Sequence, residues 1–374
     1  MNKKILWIAH EANMSGANIC LNEFITLTAT TTVQQVLVLP HSGNMLSHAT
    51  RLEVPVRVIH FYGWMRKVNG RFFNNGYSRR LLRNIYAVYE LVKLIRKERI
   101  TTVFTNTSTF NVGAWAASLT GTKHFWYVHE LGAEDFGITV PRGNKSYRFM
   151  HLNSERIYTN SFFLKNKLLQ KYPFPNIEVL PNPVLLKQHP VAVNWVKRTP
   201  FKLLILGQVL KSKGQHIAVE AIHILTDRNY DVSLSITGGA EDKGYVDELV
   251  TLIQQYNLEE KVAFKSFVSQ PEIEISNHHA LLTCSNCEAF GRVTIEAMKL
   301  GVPVIGANTC GTAEVIIDKE SGWLFENGNP TSLAGAIQLM LEAEDLKTNI
   351  IAGASKRANE ISDPKDFYTF LDSI

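Results

Sequence analysis

Two glutamates eight residues apart, Glu288 and Glu296, stand in the passage CSNCEAFGRVTIEAMKLGVPVIGANTCGTAE, which spans Cys284 to Glu314. The pattern predicts a strand that enters a turn at Phe290–Gly291 and a helix from about Arg292 to Leu300, stopped by Gly301 and Pro303. Val293, Ala297 and Leu300 line one face of that helix and Ile295 and Met298 another, so the helix is expected to be buried. An ionised Glu296 on it then needs hydrogen-bond donors, and ribose hydroxyls are suitable ones. The free N–H groups at the helix N-terminus suit a diphosphate. Glu288, ahead of the helix, is placed to accept bonds from sugar hydroxyls. A lone E-x7-E is more often a pair of surface glutamates, so the surrounding pattern has to decide.

That pattern is βαβ throughout. Short runs rich in Val, Ile and Phe predict strands at Lys4–His10, Val33–Pro40, Val54–Phe61, Thr102–Thr107, His124–His129, Arg156–Asn160 and Glu178–Pro181. The series restarts at Phe201–Leu206 and continues through Val232–Thr237, Val262–Phe267, Ala280–Cys284 and Val302–Ile305. Arg80–Arg99 carries Leu81, Ile85, Val88, Leu91, Val92 and Ile95 at helical spacing, which predicts an amphipathic helix with a cationic outer face. The proline-interrupted stretch from Pro181 to Pro200 marks a boundary. The expected class is α/β, with two doubly wound Rossmann-like domains facing each other across a cleft. Their expected extents are 1–185 for an acceptor domain, 186–200 for a linker and 201–360 for a donor domain; a C-terminal helix at 361–374 is expected to pack back on the first domain.

With these elements in place, Glu288-Ala-Phe-Gly291, Glu296-Ala, Gly301-Val-Pro303, Gly311-Thr-Ala-Glu314 and Ser321-Gly322-Trp-Leu-Phe325 resemble the donor-binding signature of family 4 glycosyltransferases of the GT-B fold. Gly207, Lys213-Gly214-Gln215, Thr237-Gly238-Gly239 and Leu180-Pro-Asn-Pro183 extend the resemblance over most of residues 155–345. It implies a retaining hexosyltransferase that moves a sugar from a nucleoside-diphosphate sugar, weakly a UDP-hexose, to a saccharide hydroxyl during surface polysaccharide biosynthesis. The implied acceptor is lipid-linked. Within that resemblance Glu296 binds the ribose, Glu288 and the Phe290–Gly291 backbone hold the donor sugar, and Lys213 neutralises the diphosphate with help from the N–H groups of Val293 and Thr294. The family commonly carries Arg after the glycine matched by Gly207; here Gln208 stands there, and Lys211 lies in the same loop.

In the first half the implied site residues are Gly16, in the loop after the first strand, and His129, matching a family histidine near the C6 hydroxyl of the donor sugar. A plain strand-to-helix turn and a structural strand-end histidine are the competing readings of those two positions. No cofactor beyond the donor substrate is implied. The chain has no Asp-x-Asp, so no metal is expected and positive side chains must replace it. A GT-B nucleotide-sugar epimerase and a catalytically decayed sugar-nucleotide-binding subunit remain as alternatives; the first strand is followed by no G-x-G-x-x-G, which disfavours a dehydrogenase.

The chain of 374 residues is 45% hydrophobic and 20% charged, enough for two ordinary cores and too apolar for disorder. Its net charge of +5 conceals a split, with +13 over residues 1–190 and −8 over residues 191–374. The first half therefore suits an anionic partner. Nucleic acid is not expected, because no binding motif accompanies the charge. Trp64, Arg66, Lys67, Arg71, Phe72, Phe73, Arg79, Arg80 and Arg83 mix aromatics with cations, which suits an anionic membrane interface. Four scattered cysteines and no spanning apolar run predict a cytoplasmic protein, peripheral at the inner face of the cytoplasmic membrane. Cys284-x2-Cys287, with His278 and His279 nearby, lacks the second cysteine pair of a zinc site.

Overall fold

A computed structural model describes residues 3–68, 77–186, 200–342 and 344–374. The chain divides into two compact units, Met1–Val184 with Asp363–Ile374, and Leu185–Ser362. The expected linker falls almost wholly on 187–199, outside the described residues.

Among the described residues of the first unit, seven strands form one parallel sheet: β1 (Lys4–Ile8), β2 (Gln34–Leu39), β3 (Val56–Val58), β4 (Thr102–Asn106), β5 (Lys123–Val128), β6 (Arg156–Thr159) and β7 (Ile177–Val179), in the order β3-β2-β1-β4-β5-β6-β7. The order turns round at β1. Strands covered on both faces read as unbroken apolar runs, as Ile5 to Ile8 do, all of them buried. In register, Trp7 pairs with Phe104 and Phe104 with Phe125, so the middle of the sheet is aromatic.

Helix α1 (Gly16–Ala29) follows β1, α2 (Tyr77–Glu98) precedes β4, and α3 (Val112–Thr120) joins β4 to β5. Ala87, Leu91, Leu94 and Ile95 of α2 pack with Val112, Ala116 and Ala117 of α3. The expectation that Leu81 and Ile85 lie on the core face is corrected: they are 49% and 57% exposed. The helical period continues through the first turns of α2, but those turns project beyond the packed surface. Periodicity alone does not carry that information.

The second unit holds β8 (Phe201–Leu206), β9 (Val232–Thr237), β10 (Val262–Lys265), β11 (Ala280–Thr283), β12 (Val304–Ala307) and β13 (Trp323–Phe325). Their order among the described residues is β10-β9-β8-β11-β12-β13, all parallel, again reversing beside the first strand. Open α/β sheets bind ligands at that reversal, beyond the carboxyl ends of the strands. Helix α4 (Gln215–Asp227) buries Ile217, Ala218, Ala221, Ile222 and Leu225 against this sheet, α5 (Arg292–Lys299) follows β11, and α6 (Cys310–Val315) follows β12.

The last helix, α7 (Pro364–Ser373), belongs to the first unit. Asp363 caps it by accepting from the Lys365 N–H, and Pro364 occupies the first turn, where a missing N–H costs nothing. Phe367 stacks on Phe24 at 4.3 Å, and Phe370 meets Phe125 edge-on at 5.3 Å. At its other end Lys3 Nζ donates to the carbonyls of Leu371 and Asp372 at 3.0 and 2.8 Å, a cation against exposed helix carbonyls.

Candidate active site

In the second unit the loops after β8 and β11 bring two expected residues together. Lys213 ends a tight 3-10 turn, Lys211–Lys213, and Gly214 follows with φ +69°; a Cβ there would come within 2.1 Å of the Cys284 carbonyl oxygen. Only glycine fits between the two loops. Lys213 Nζ donates to Glu288 Oε1 at 2.6 Å, and Ser285 Oγ donates to the same oxygen at 2.6 Å. Among the described residues no hydrogen bond reaches Oε2. Both side chains are partly exposed, so the pair is accessible.

Gly291, at φ +75°, caps α5. Glu296 is buried one turn into the helix and accepts from Arg292 Nε at 2.8 Å, four residues back. The predicted need for donors is thus met in part by Arg292, a residue that the motif reading passed over. The i,i+4 spacing on a buried helix was the available signal. Val293 N–H meets no acceptor among the described residues. Thr294 is a correction: its N–H already donates to the Gly291 carbonyl at 3.0 Å and its hydroxyl bonds that of Thr283 at 3.0 Å, because a left-handed cap tightens the first turn. Phe290 is buried beneath the turn.

Gly207 and Gly238 end the adjacent strands β8 and β9, and a Cβ on Gly238 would meet the Gly207 oxygen at 1.8 Å, so the two backbones touch. Gln208 is exposed and its carbonyl takes the Gln215 side-chain N–H at 3.0 Å. Lys211, the expected stand-in for the missing arginine, pairs with Glu248 at 3.2 Å in an exposed contact.

In the first unit Ser15 and Gly16 open α1 directly beyond β1. A Cβ at Gly16 would meet no protein atom, so the protein's own packing does not demand a glycine there. His129 follows the last residue of β5, and its Nε2 lies 2.7 Å from Asn106 Oδ1 at the end of β4. Burial holds its imidazole neutral, pushing its pKa down to about 3. The neighbouring Glu130 is buried but well supplied: Oε1 accepts from the N–H and hydroxyl of Ser108, and Oε2 from the His129 N–H at 3.1 Å. Asn106 and Glu130 are polar groups that sequence reasoning missed; a strand-end Asn and a Glu after a His carry no motif of their own.

Two family models match the chain. "Glycosyltransferase Family 4" covers residues 36–188, and "Glycosyl transferases group 1" covers residues 192–357. The chain belongs to these glycosyltransferases. Among relatives, a capsular polysaccharide biosynthesis glycosyltransferase of Staphylococcus aureus is 28% identical over 46% of this chain and 45% of its own length. A D-inositol 3-phosphate glycosyltransferase of Jonesia denitrificans is 27% identical over 43% and 39%. The chain thus matches less than half the length of these relatives. The crystal structure of Anabaena HepE in complex with UDP and glucose superposes with TM-score 0.79 at 20% identity, covering 100% of this chain and 99% of that one. A glycosyltransferase of Rickettsia africae gives 0.80 at 16%, covering 100% and 97%. The shared fold is GT-B.

The basic surface of this glycosyltransferase differs in part from expectation. Trp64 is corrected as a membrane anchor: its indole N–H donates to the Ser108 carbonyl at 2.7 Å and its ring stacks on Trp126, with Phe149 edge-on. Arg66 and Lys67 form a short ribbon against Ile138–Thr139. Arg71, Phe72 and Phe73 lie outside the described residues. Arg79, Arg80 and Arg83 are exposed on α2 beside Leu81, Leu82, Ile85, Tyr86 and Tyr89, all exposed apolar or aromatic side chains. Among the described residues no helix is long and apolar enough to cross a membrane.

Cys287 is joined to Cys310 in a disulfide, with Cα atoms 5.3 Å apart, while Cys20 and Cys284 remain thiols. Neither the cysteine count nor the Cys284-x2-Cys287 spacing gives a sign of this pairing, which depends on β11 and β12 lying side by side. Gly311 N–H also donates to the Glu288 carbonyl at 2.9 Å, so the start of α6 is tied twice to the Glu288 loop.

Proposed function

We propose that this protein transfers a hexosyl group from a UDP-sugar to a hydroxyl of a lipid-linked saccharide, with retention at the anomeric carbon and without a metal, in the assembly of a surface polysaccharide. The observation that carries the reading is the Lys213–Glu288 pair, together with a Val293 N–H in the first turn of α5 that meets no acceptor among the described residues. A departing nucleoside diphosphate gains negative charge as the glycosidic bond breaks. A fixed ammonium and a helix N–H stabilise that charge without reorganising. Glu288 Oε2 accepts from a sugar hydroxyl, and Glu296 with Arg292 holds the ribose.

Retention follows if the acceptor attacks the face from which the diphosphate leaves, the leaving oxygen taking the acceptor proton. HepE was crystallised with UDP and glucose, and the staphylococcal relative is named for capsular polysaccharide biosynthesis, which supports the donor class and the pathway class. The exposed arginines and apolar side chains of α2 support an anionic membrane surface, where each basic residue contributes about 1 kcal/mol.

The test incubates purified protein with a panel of UDP- and GDP-sugars and lipid-linked saccharides, assigning the anomeric configuration of the product by NMR. A retained glycoside made from one UDP-hexose is the expected result. No turnover with any donor, together with no binding in calorimetry, sinks the proposal. An epimerised nucleotide sugar formed from donor alone replaces it with epimerase chemistry.

A further inference from the structure

The bond between Cys287 and Cys310 sits on the loop that presents Glu288, the residue next to Cys287 in the chain. Cys310 opens α6 with φ +50°, a left-handed conformation that a residue with a Cβ adopts only under constraint. The turn aims Gly311 at the loop. Its N–H donates to the Glu288 carbonyl at 2.9 Å, and a Cβ on it would come within 2.6 Å of the Ala289 oxygen and 2.7 Å of the Glu288 oxygen. Turning Cys310 back to the right-handed region re-aims the peptide that carries this N–H. On its other side the loop meets the Lys211–Lys213 turn, where the Asn286 N–H donates to the Ser212 carbonyl at 2.9 Å. Glu288 is thus gripped twice, by its carboxylate on Lys213 and by its carbonyl on Gly311.

The four cysteines differ in what can reach them. Cys20 and Cys284 are buried, whereas Cys287 and Cys310 are each partly exposed. Burial pushes the Cys284 thiol up to about 12, so it stays protonated and does not attack the bond close by in the chain. Exchange therefore calls for an external thiol. In a reducing compartment an accessible bond of this kind is as a rule transient and redox-sensing rather than structural.

We propose that the Cys287–Cys310 bond is an exchange site for a dithiol reductant, and that opening it loosens the Glu288 loop and weakens nucleotide-sugar binding. One thiolate of the reductant attacks a sulfur of the bond and forms a mixed disulfide, while the other cysteine leaves as a thiolate and takes a proton. The second thiol of the reductant then closes its own disulfide and frees the remaining cysteine. Two electrons and two protons pass to the pair in all. Once released, Cys310 relaxes to the right-handed region and the Gly311 N–H leaves the Glu288 carbonyl. The ligand rests on the function proposed above; the loop movement does not.

Two readouts compare wild-type protein with the bond intact and with it opened by dithiothreitol. In amide hydrogen exchange followed by NMR, the Gly311 N–H should exchange about tenfold faster in the reduced protein. In calorimetry the reduced protein should bind UDP-glucose about tenfold more weakly. Two variants separate the bond from the turn it enforces. Cys310→Gly takes the left-handed turn without a bond and should bind as the oxidised protein does, with or without dithiothreitol, whereas Cys310→Ala should bind as the reduced protein does. A bond that dithiothreitol does not open in the folded protein, equal Gly311 exchange in the two states, or equal affinity in the two states overturns the proposal. So does loss of the cooperative melting transition on reduction, which makes the bond a plain structural staple. The wild-type comparison decides even if a variant does not fold. Faster Gly311 exchange in a protein that binds no nucleotide sugar in either state sinks the proposed function and leaves the redox dependence of the loop supported.

Discussion

Lys213 and Glu288, 75 residues apart in the chain, meet with Nζ 2.6 Å from Oε1 and so join the loop after β8 to the loop after β11. The contact orders two segments with opposite charges at the carboxyl ends of neighbouring strands, where it would hold the ammonium in place for a dianionic leaving group.

If that is its role, Lys213→Ala lowers kcat about 100-fold, the size expected for losing one preorganised charge at a developing anion. Lys213→Arg keeps the charge and should retain more activity. Steady-state rates with the best UDP-hexose check this, and wild-type turnover in Lys213→Ala removes the diphosphate assignment.

Arg292 and Glu296 form a largely buried pair, with side chains 13% and 6% exposed. Arg292→Leu takes the cation away from a buried carboxylate and should cost about 3 kcal/mol in urea unfolding. Adding Glu296→Leu should recover much of that stability while abolishing nucleotide binding, which separates the structural half of the pair from its ligand half.

The strands were legible because buried parallel strands must be apolar, and Phe201–Leu206 and Val232–Thr237 coincide with the predicted segments. The family motif was legible because glycines at close approaches and charges at loop ends recur at fixed spacing. What could not be read was anything that depends on two distant segments meeting: the Cys287–Cys310 bond, the Asn106 bridge to Ala17 and His129, and the inward turn of Trp64 onto Trp126. Leu81 and Ile85 failed for a related reason, since a helical period says which side chains share a face and not whether a neighbour covers it.

His124 is 3% exposed, bonds Thr105 and Ser154 through its two ring nitrogens, and has its pKa pushed down to about 3 by burial. The unfolded chain takes up a proton on this residue below about pH 6.5 while the folded one does not, so its contribution is complete above that pH and is lost as the pH falls toward 3. The slope is about 1.4 kcal/mol per pH unit. Urea unfolding at pH 7.5 and pH 5.5 should show that loss, and His124→Gln should reduce it while His129, whose pKa is pushed down to about 3 as well, keeps part of it.

Thiol titration of the unfolded, unreduced protein should find two thiols, Cys20 and Cys284. Opening the bond between Cys287 and Cys310, 23 residues apart, by substituting both with Ser should cost about 3 kcal/mol of stability, mainly through the unfolded chain. Four titratable thiols in the untreated protein would contradict this pairing.

Membrane binding should depend on α2. Replacing Leu82, Ile85 and Tyr86 with Ser leaves the core untouched, since these side chains are 67%, 57% and 56% exposed. The triple variant should leave anionic vesicles in a flotation assay with its melting temperature unchanged, as should Arg79, Arg80 and Arg83 changed to Glu. Trp64→Ser should instead lower the melting temperature, because it removes a packed ring and orphans the Ser108 carbonyl.

The return of α7 to the first unit has a consequence for synthesis. Trp7, Phe24 and Phe104 precede the second unit in the chain, yet Phe367 and Phe370, which complete their aromatic cluster, follow it. The second unit holds its whole hydrophobic cluster between Phe201 and Ile350 and can close while the ribosome is still working. The aromatic cluster of the first unit therefore cannot close until the whole second unit has been made.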